Sequence, residues 1–192
     1  MIEQLFLERI VTALDEADIP YMVSGSLGSS FLGQFRTTND ADLIIAPTTE
    51  QLDRLLAALE VDYYVDAETA RGALRDRSMF NVIEFATGSK ADLILLKDRP
   101  FSREEFSRRR RMDVFGVPVW AVTPEDVILS KLEWSKMGES ERQFQDALGV
   151  AIVQAPHLDW DYLRNWAVEL SVKDLLSRLV AEMNAAKPPD RS

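Results

Sequence analysis

The chain has 192 residues, 46% of them hydrophobic and 28% charged, which is enough to bury one sizeable core with at most a smaller satellite. It has no cysteine, which excludes disulfides, thiolate nucleophiles and cysteine-ligated zinc or iron–sulfur centres, and its single histidine leaves no pair for a metal site. The net charge of −10 opposes the coating of bulk nucleic acid, although a local basic patch can still dock one particular RNA or protein.

Apolar residues at Ile2, Leu5, Phe6, Ile10, Ala13 and Leu14 line one face of a helix expected over 2–18, which Pro20 stops. This N-terminal stretch is amphipathic and acidic, unlike a signal peptide. No early segment approaches the ~20 apolar residues of a membrane span, so a soluble, cytoplasmic protein with no membrane partner is expected. "YMVSG" at 21–25 reads as a short buried strand, followed by a turn made of Gly25, Gly28 and three serines, and "SSFLGQF" opens a second helix. "DADLIIA" at 40–46 is the next strand. Thr48 and Gln51 stand at capping-box spacing before Leu52, Leu55, Leu56 and Leu59, which predicts a helix.

Strands are expected in "VDYYVD", "MFNVIEFA" and "KADLILLK", with "AETARGALRD" a short helix or a loop. Ser102 and Glu105 take capping-box positions in "SREEFSRRRRMDV", and "FGVPVWAV" is another strand. From Thr123 onward the pattern is helical: Thr123 caps "PEDVILSKLEWSKM", Ser140 with Gln143 and then Asp159 start the next two helices, and Ser171 with Asp174 the last. His157 falls in a surface loop. The division expected is a core over 1–122, a helical subdomain over 123–185 and a frayed tail over 186–192.

Asp40 and Asp42 need explaining. Residues i and i+2 of a strand project from the same face, roughly 6–7 Å apart along the backbone. Two carboxylates at that separation repel by about 2 kcal/mol at an effective dielectric near 20, so a compensating cation is expected. A hard divalent ion such as magnesium takes oxygen ligands and is typically held by one or two carboxylates plus substrate phosphates. Gly25 and Ser26, between a strand and a helix, place backbone N–H groups where they can hold a phosphate. Asp92 lies in "ADLILL", nearly repeating the earlier "ADLIIA". If the two strands are neighbours, three carboxylates converge, a cluster suited to two metals about 3.5–4 Å apart.

Gly25-Ser26, a helix-length gap, Asp40-Ala41-Asp42 before apolar residues, and Asp92 on a later strand resemble the signature of the DNA polymerase beta nucleotidyltransferase superfamily. The motifs span residues 20–95 and extend more loosely to 150. "RTTNDADLII", "TPEDVILSKLEW" and "ERQFQDALG" are most similar to bacterial AbiEii-type toxin nucleotidyltransferases. The resemblance implies an α/β (α+β) fold: a small mixed sheet flanked by helices, with a helical C-terminal part completing the cleft. It implies that Asp40, Asp42 and Asp92 bind magnesium or manganese, that Asp92 helps deprotonate an acceptor hydroxyl, and that Gly25, Ser26, Arg36 and Lys131 serve the nucleotide. Asp146 is a further candidate, equally readable as a partner of Arg142 or Lys131. The implied activity moves a nucleoside monophosphate from an NTP such as ATP to an RNA end (tRNA included) or a protein side chain, in a toxin or defence setting with a cognate antitoxin. A catalytically silent binding module and an enzyme modifying a small molecule such as an antibiotic are the alternatives.

Charge runs have blander readings beside these. Arg108 to Arg111 read as a solvated helix face or a docking site for an RNA backbone or an acidic partner, and Arg71, Arg75 and Arg77 as exposed charges or as ligands of a triphosphate or an RNA end on a mobile segment. The four tryptophans are expected to pack between helices.

Overall fold

The computed structural model describes residues 4–33 and 40–186. The chain divides into two compact units, Met1–Gly28 with Arg36–Val122, and Ser29–Phe35 with Thr123–Ser192.

The first unit is a seven-stranded mixed sheet in the order β3-β4-β5-β2-β1-β7-β6. Its strands are β1 (Tyr21–Val23), β2 (Asp40–Ile45), β3 (Tyr63–Tyr64), β4 (Met79–Glu84), β5 (Lys90–Leu95), β6 (Arg110–Val114) and β7 (Val117–Ala121). β2 runs parallel to β5 and β1 parallel to β7, while the other neighbours are antiparallel. Alternation gives the sheet two unlike faces. Ala41, Leu43 and Ile45 on β2, Ala91, Leu93 and Leu95 on β5, and Phe80 and Val82 on β4 are buried. Against that layer lie α1 (Gln4–Glu16), α3 (Thr49–Leu59) and α4 (Ala67–Asp76), with α1 packing on β7 and α3, and α4 on β4. Glu84 points into this layer, where its carboxylate meets Arg9 at 2.6 Å and accepts from the Thr87 hydroxyl at 2.6 Å. The residues between, Asp40, Asp42, Ile44, Lys90, Asp92 and Ile94, form a half-exposed opposite face.

The second unit is built from α6 (Pro124–Gly138), α7 (Glu141–Gln154), α8 (Trp160–Glu169) and α9 (Lys173–Ala186), with the later part of α2 (Gly25–Leu32). α6 packs on α7 and α8, and α9 packs on α7 and α8. Ile128, Leu132, Phe144, Leu163 and Leu179 fill the core, none more than 2% exposed. A buried polar knot ties α6 to α8: Asp126 accepts from the Thr123 hydroxyl at 2.5 Å and the Tyr162 hydroxyl at 2.6 Å, and Glu125 accepts from the Asp159 N–H at 3.0 Å. Among the described residues no helix is long and apolar enough to cross a membrane.

Most predicted elements form, and the departures have physical reasons. α2 starts at Gly25 itself, so Gly28 lies inside a helix and not in a turn. Ser102 and Glu105 do not cap α5 (Pro100–Ser107); they are buried within it, and Pro100, with φ preset and no N–H to satisfy, makes the start. The arginine run is not a helix face, since Arg108 ends α5 and Arg110 and Arg111 open β6. Arg71 and Arg75 sit on α4 rather than on an irregular segment; Arg71 pairs with Asp53 at 2.8 Å, and Arg77 donates to the Leu96 carbonyl at 2.8 Å. Ser171 stands two residues before α9 with left-handed backbone and is not its cap. Trp120 is not between helices but on β7, with the Arg109 and Arg111 guanidinium groups over its ring, and Trp134 is exposed.

Candidate functional site

β2 and β5 run in register, with Asp40 beside Lys90 and Asp42 beside Asp92. Register partners on parallel strands project from the same face, so three carboxylates and one ammonium gather on the half-exposed side of the sheet. A divalent cation was the expected compensating charge; the chain itself supplies a monovalent one, the Lys90 ammonium. Lys90 Nζ lies 3.5 Å from Asp40 Oδ2 and 3.1 Å from Asp92 Oδ1, with the side chains of Lys90, Asp40 and Asp92 32%, 46% and 15% exposed. Burial pulls the lysine's pKa down, but hydrogen bonding and attraction to Asp92, then Asp40, outweigh it and hold the group above its usual value. Asn81 on β4, the register partner of Asp92, donates its amide N–H to Asp92 Oδ1. Lys90 escaped the sequence analysis, although "KADLIL" aligned on "DADLII" puts it opposite Asp40.

The glycine-serine turn belongs to the same cluster. Ser26 N–H donates to Asp42 Oδ2 at 2.9 Å, and Ser24 N–H donates to the Asp42 carbonyl at 2.9 Å. Gly25 has φ +57°, and a Cβ built there would lie 2.2 Å from Asp42 Oδ2. Only glycine fits, on conformational and on steric grounds. The turn therefore grips a carboxylate.

The donor set agrees with the chemistry of a hard cation. All the acidic atoms are carboxylate oxygens, and one positive head group already touches two of them, so the positions of Asp40 and Asp92 suit a shared cation. Among the described residues no three acidic or histidine side chains are grouped closely enough to hold an ion by themselves. Two carboxylates completed by substrate phosphates are the arrangement magnesium ordinarily takes.

Lys131 on α6 and Asp146 on α7 meet in the second unit, Nζ to Oδ2 at 3.0 Å, their side chains 6% and 13% exposed. Arg36 lies outside the described residues.

No protein-family model and no curated protein matches the sequence. Solved structures do. A crystal structure of an antigenic nucleotidyltransferase-like protein from Paracoccidioides brasiliensis superposes with a TM-score of 0.56 at 15% identity, over 92% of this chain and 91% of that one. The antibiotic-resistance factor ANT(2'')-Ia follows with 0.53 at 12% identity, over 94% and 92%. The lincosamide antibiotic adenylyltransferase LnuA, lincomycin-bound, gives 0.50 at 10% identity, over 78% and 96%. The chain thus has a nucleotidyltransferase-like fold.

Proposed function

We propose that the protein transfers a nucleoside monophosphate from an NTP to an acceptor hydroxyl at the cluster of Asp40, Asp42 and Asp92. The observation that carries the reading is the register of β2 and β5, which sets the three carboxylates on one accessible face. The nucleotidyltransferase-like fold supports it. Magnesium or manganese, when bound, would polarise the α-phosphate and neutralise the leaving pyrophosphate. Asp40, Asp42 and Asp92 would together hold that charge, and Asp42 is fixed for the task by Ser26 N–H and the close backbone of Gly25. Asp92 takes the proton as the acceptor oxygen forms its bond to the α-phosphorus and the bond to the bridging oxygen breaks. In this reading the acceptor is a macromolecular hydroxyl, an RNA end or a protein side chain, in a toxin or defence role of the AbiEii type.

A second reading, transfer to a small molecule, draws support from two structural neighbours, an antibiotic-resistance factor and a lincosamide antibiotic adenylyltransferase. Labelled NTPs with magnesium or manganese, incubated with cellular RNA, cellular protein and a panel of hydroxylated antibiotics, separate the two. Label on RNA or protein, absent from the Asp40→Asn/Asp42→Asn variant, supports the first reading. Label on antibiotics supports the second. Nucleotide binding without transfer to any fraction removes both and leaves a binding module.

A further inference from the structure

Lys90 stands in register with Asp40 and two residues before Asp92, and its ammonium contacts both carboxylates, at 3.5 Å and 3.1 Å. An ammonium within ion-pair distance of two acids removes the repulsion that would otherwise spread them. It also claims the same oxygens that a divalent cation needs, and two cations on one pair of carboxylates repel each other. Lysine suits such exchange, because its charge is a compact point on a flexible four-carbon stem that can swing to a new anion.

We propose that Lys90 is the resident counter-ion of the site: it keeps Asp40 and Asp92 together while no nucleotide is bound, and it yields them to a divalent cation when a triphosphate offers its ammonium another partner. Lys90 is in this sense a positioning residue that couples cation binding to nucleotide binding, and by linkage each ligand tightens the other. The inference rests on reading the cluster as a nucleotidyl-transfer site. On the same face Asn81 reaches Asp92 with a neutral amide, which carries no charge to exchange.

Electron paramagnetic resonance of Mn²⁺ tests this on the full chain, for wild type, Lys90→Met, Lys90→Arg, Asp40→Asn and Asp92→Asn, each with and without the α,β-methylene analogue of ATP. Lys90→Met is expected to bind Mn²⁺ alone at least tenfold tighter than wild type, with Lys90→Arg close to wild type. The analogue's enhancement of Mn²⁺ affinity should shrink in Lys90→Met by the same factor. A merely structural ion pair would lower the melting midpoint of Lys90→Met without this gain in affinity. Should Lys90→Met fail to fold, Lys90→Gln serves for the same measurement. Wild-type binding that is lost in Asp40→Asn but unchanged or weaker in Lys90→Met overturns the role of Lys90 alone. Binding that no variant alters, or the lack of binding in all of them, removes the proposed function and this inference together.

Discussion

Asp42 and Asp92 are register partners on adjacent parallel strands, one carboxylate held by a backbone N–H and the other by a lysine and an asparagine. Each is oriented by neighbours that an amide can largely keep. Asp42→Asn retains an acceptor for Ser26 N–H, so the fold should survive while the charge is lost. Transfer of labelled nucleotide is expected to fall at least ~100-fold in Asp42→Asn and in Asp92→Asn, with circular dichroism unchanged. Retained activity in either would contradict the role given to the cluster.

Gly25→Ala is expected to be the most damaging single-methyl change in the first unit. The new Cβ would meet Asp42 Oδ2 at 2.2 Å on a backbone with φ +57°. Left-handed strain and overpacking together cost about 2–5 kcal/mol. Gly88 is the internal control, with φ +72° and nothing within 4 Å of its Cβ position. Gly88→Ala should cost only about 1–2 kcal/mol, the backbone part alone. Urea denaturation of the two variants measures the difference, which is the contribution of contact with Asp42.

The Lys131–Asp146 pair can be assigned to packing or to chemistry by a double variant. Removing one partner leaves the other buried without its counter-charge, so Asp146→Ala should cost about 3–5 kcal/mol. A Lys131→Met/Asp146→Leu chain removes both charges and should recover most of that stability. If nucleotide affinity returns with stability, the pair is a support of the α6–α7 packing. If stability returns and nucleotide affinity stays at least tenfold weaker, the pair serves nucleotide binding beyond its part in packing.

Glu84 carries a pH signature. Burial raises its pKa, but the Thr87 hydroxyl and Arg9 outweigh this, and the carboxyl sits below its ordinary value of 4.5. A depressed folded-state pKa gives stabilisation that is complete above the unfolded value and fades as pH falls through the folded one. The stability gap between wild type and Glu84→Gln should therefore be flat from pH 7 to about 5 and narrow steadily below about pH 4. Chemical denaturation across that range measures it; a gap that widens on acidification would reverse the sign argued here.

Local signals were readable before the structure. The Thr48–Gln51 capping box forms with both hydrogen bonds, Thr48 N–H to Gln51 at 2.7 Å and Gln51 N–H to Thr48 at 3.3 Å, because everything it needs lies within four residues. Ser140 and Asp159 cap α7 and α8 for the same reason. Ser102 and Glu105 have the same spacing, yet Pro100 two residues earlier fixes the start of α5 and carries that pattern inside the helix. The mixed sheet was legible from alternation, but its order was not, since β2 and β5 become neighbours across the intervening α3, β3, α4 and β4. The acidic residues stand out by their charge alone, whereas the place of Lys90 opposite Asp40 emerges only when the two near-repeats are aligned as neighbouring strands. Gly25 marked a turn in the sequence; what it accommodates, the carboxylate of Asp42, lies 17 residues away.

The flanks of the sheet have a consequence for assembly. At one border β3 spans only Tyr63–Tyr64, and at the other β6 begins with the exposed Arg110 and Arg111. A bare border strand is a template on which another molecule can extend the hydrogen-bonded ladder, and natural sequences blunt it by shortness or by charge. This chain uses one device on each side: a border too brief to hold a visiting strand, and one whose paired guanidinium groups would face their own copies in a stacked fibril. Stepwise growth of such fibrils is thereby disfavoured from either direction.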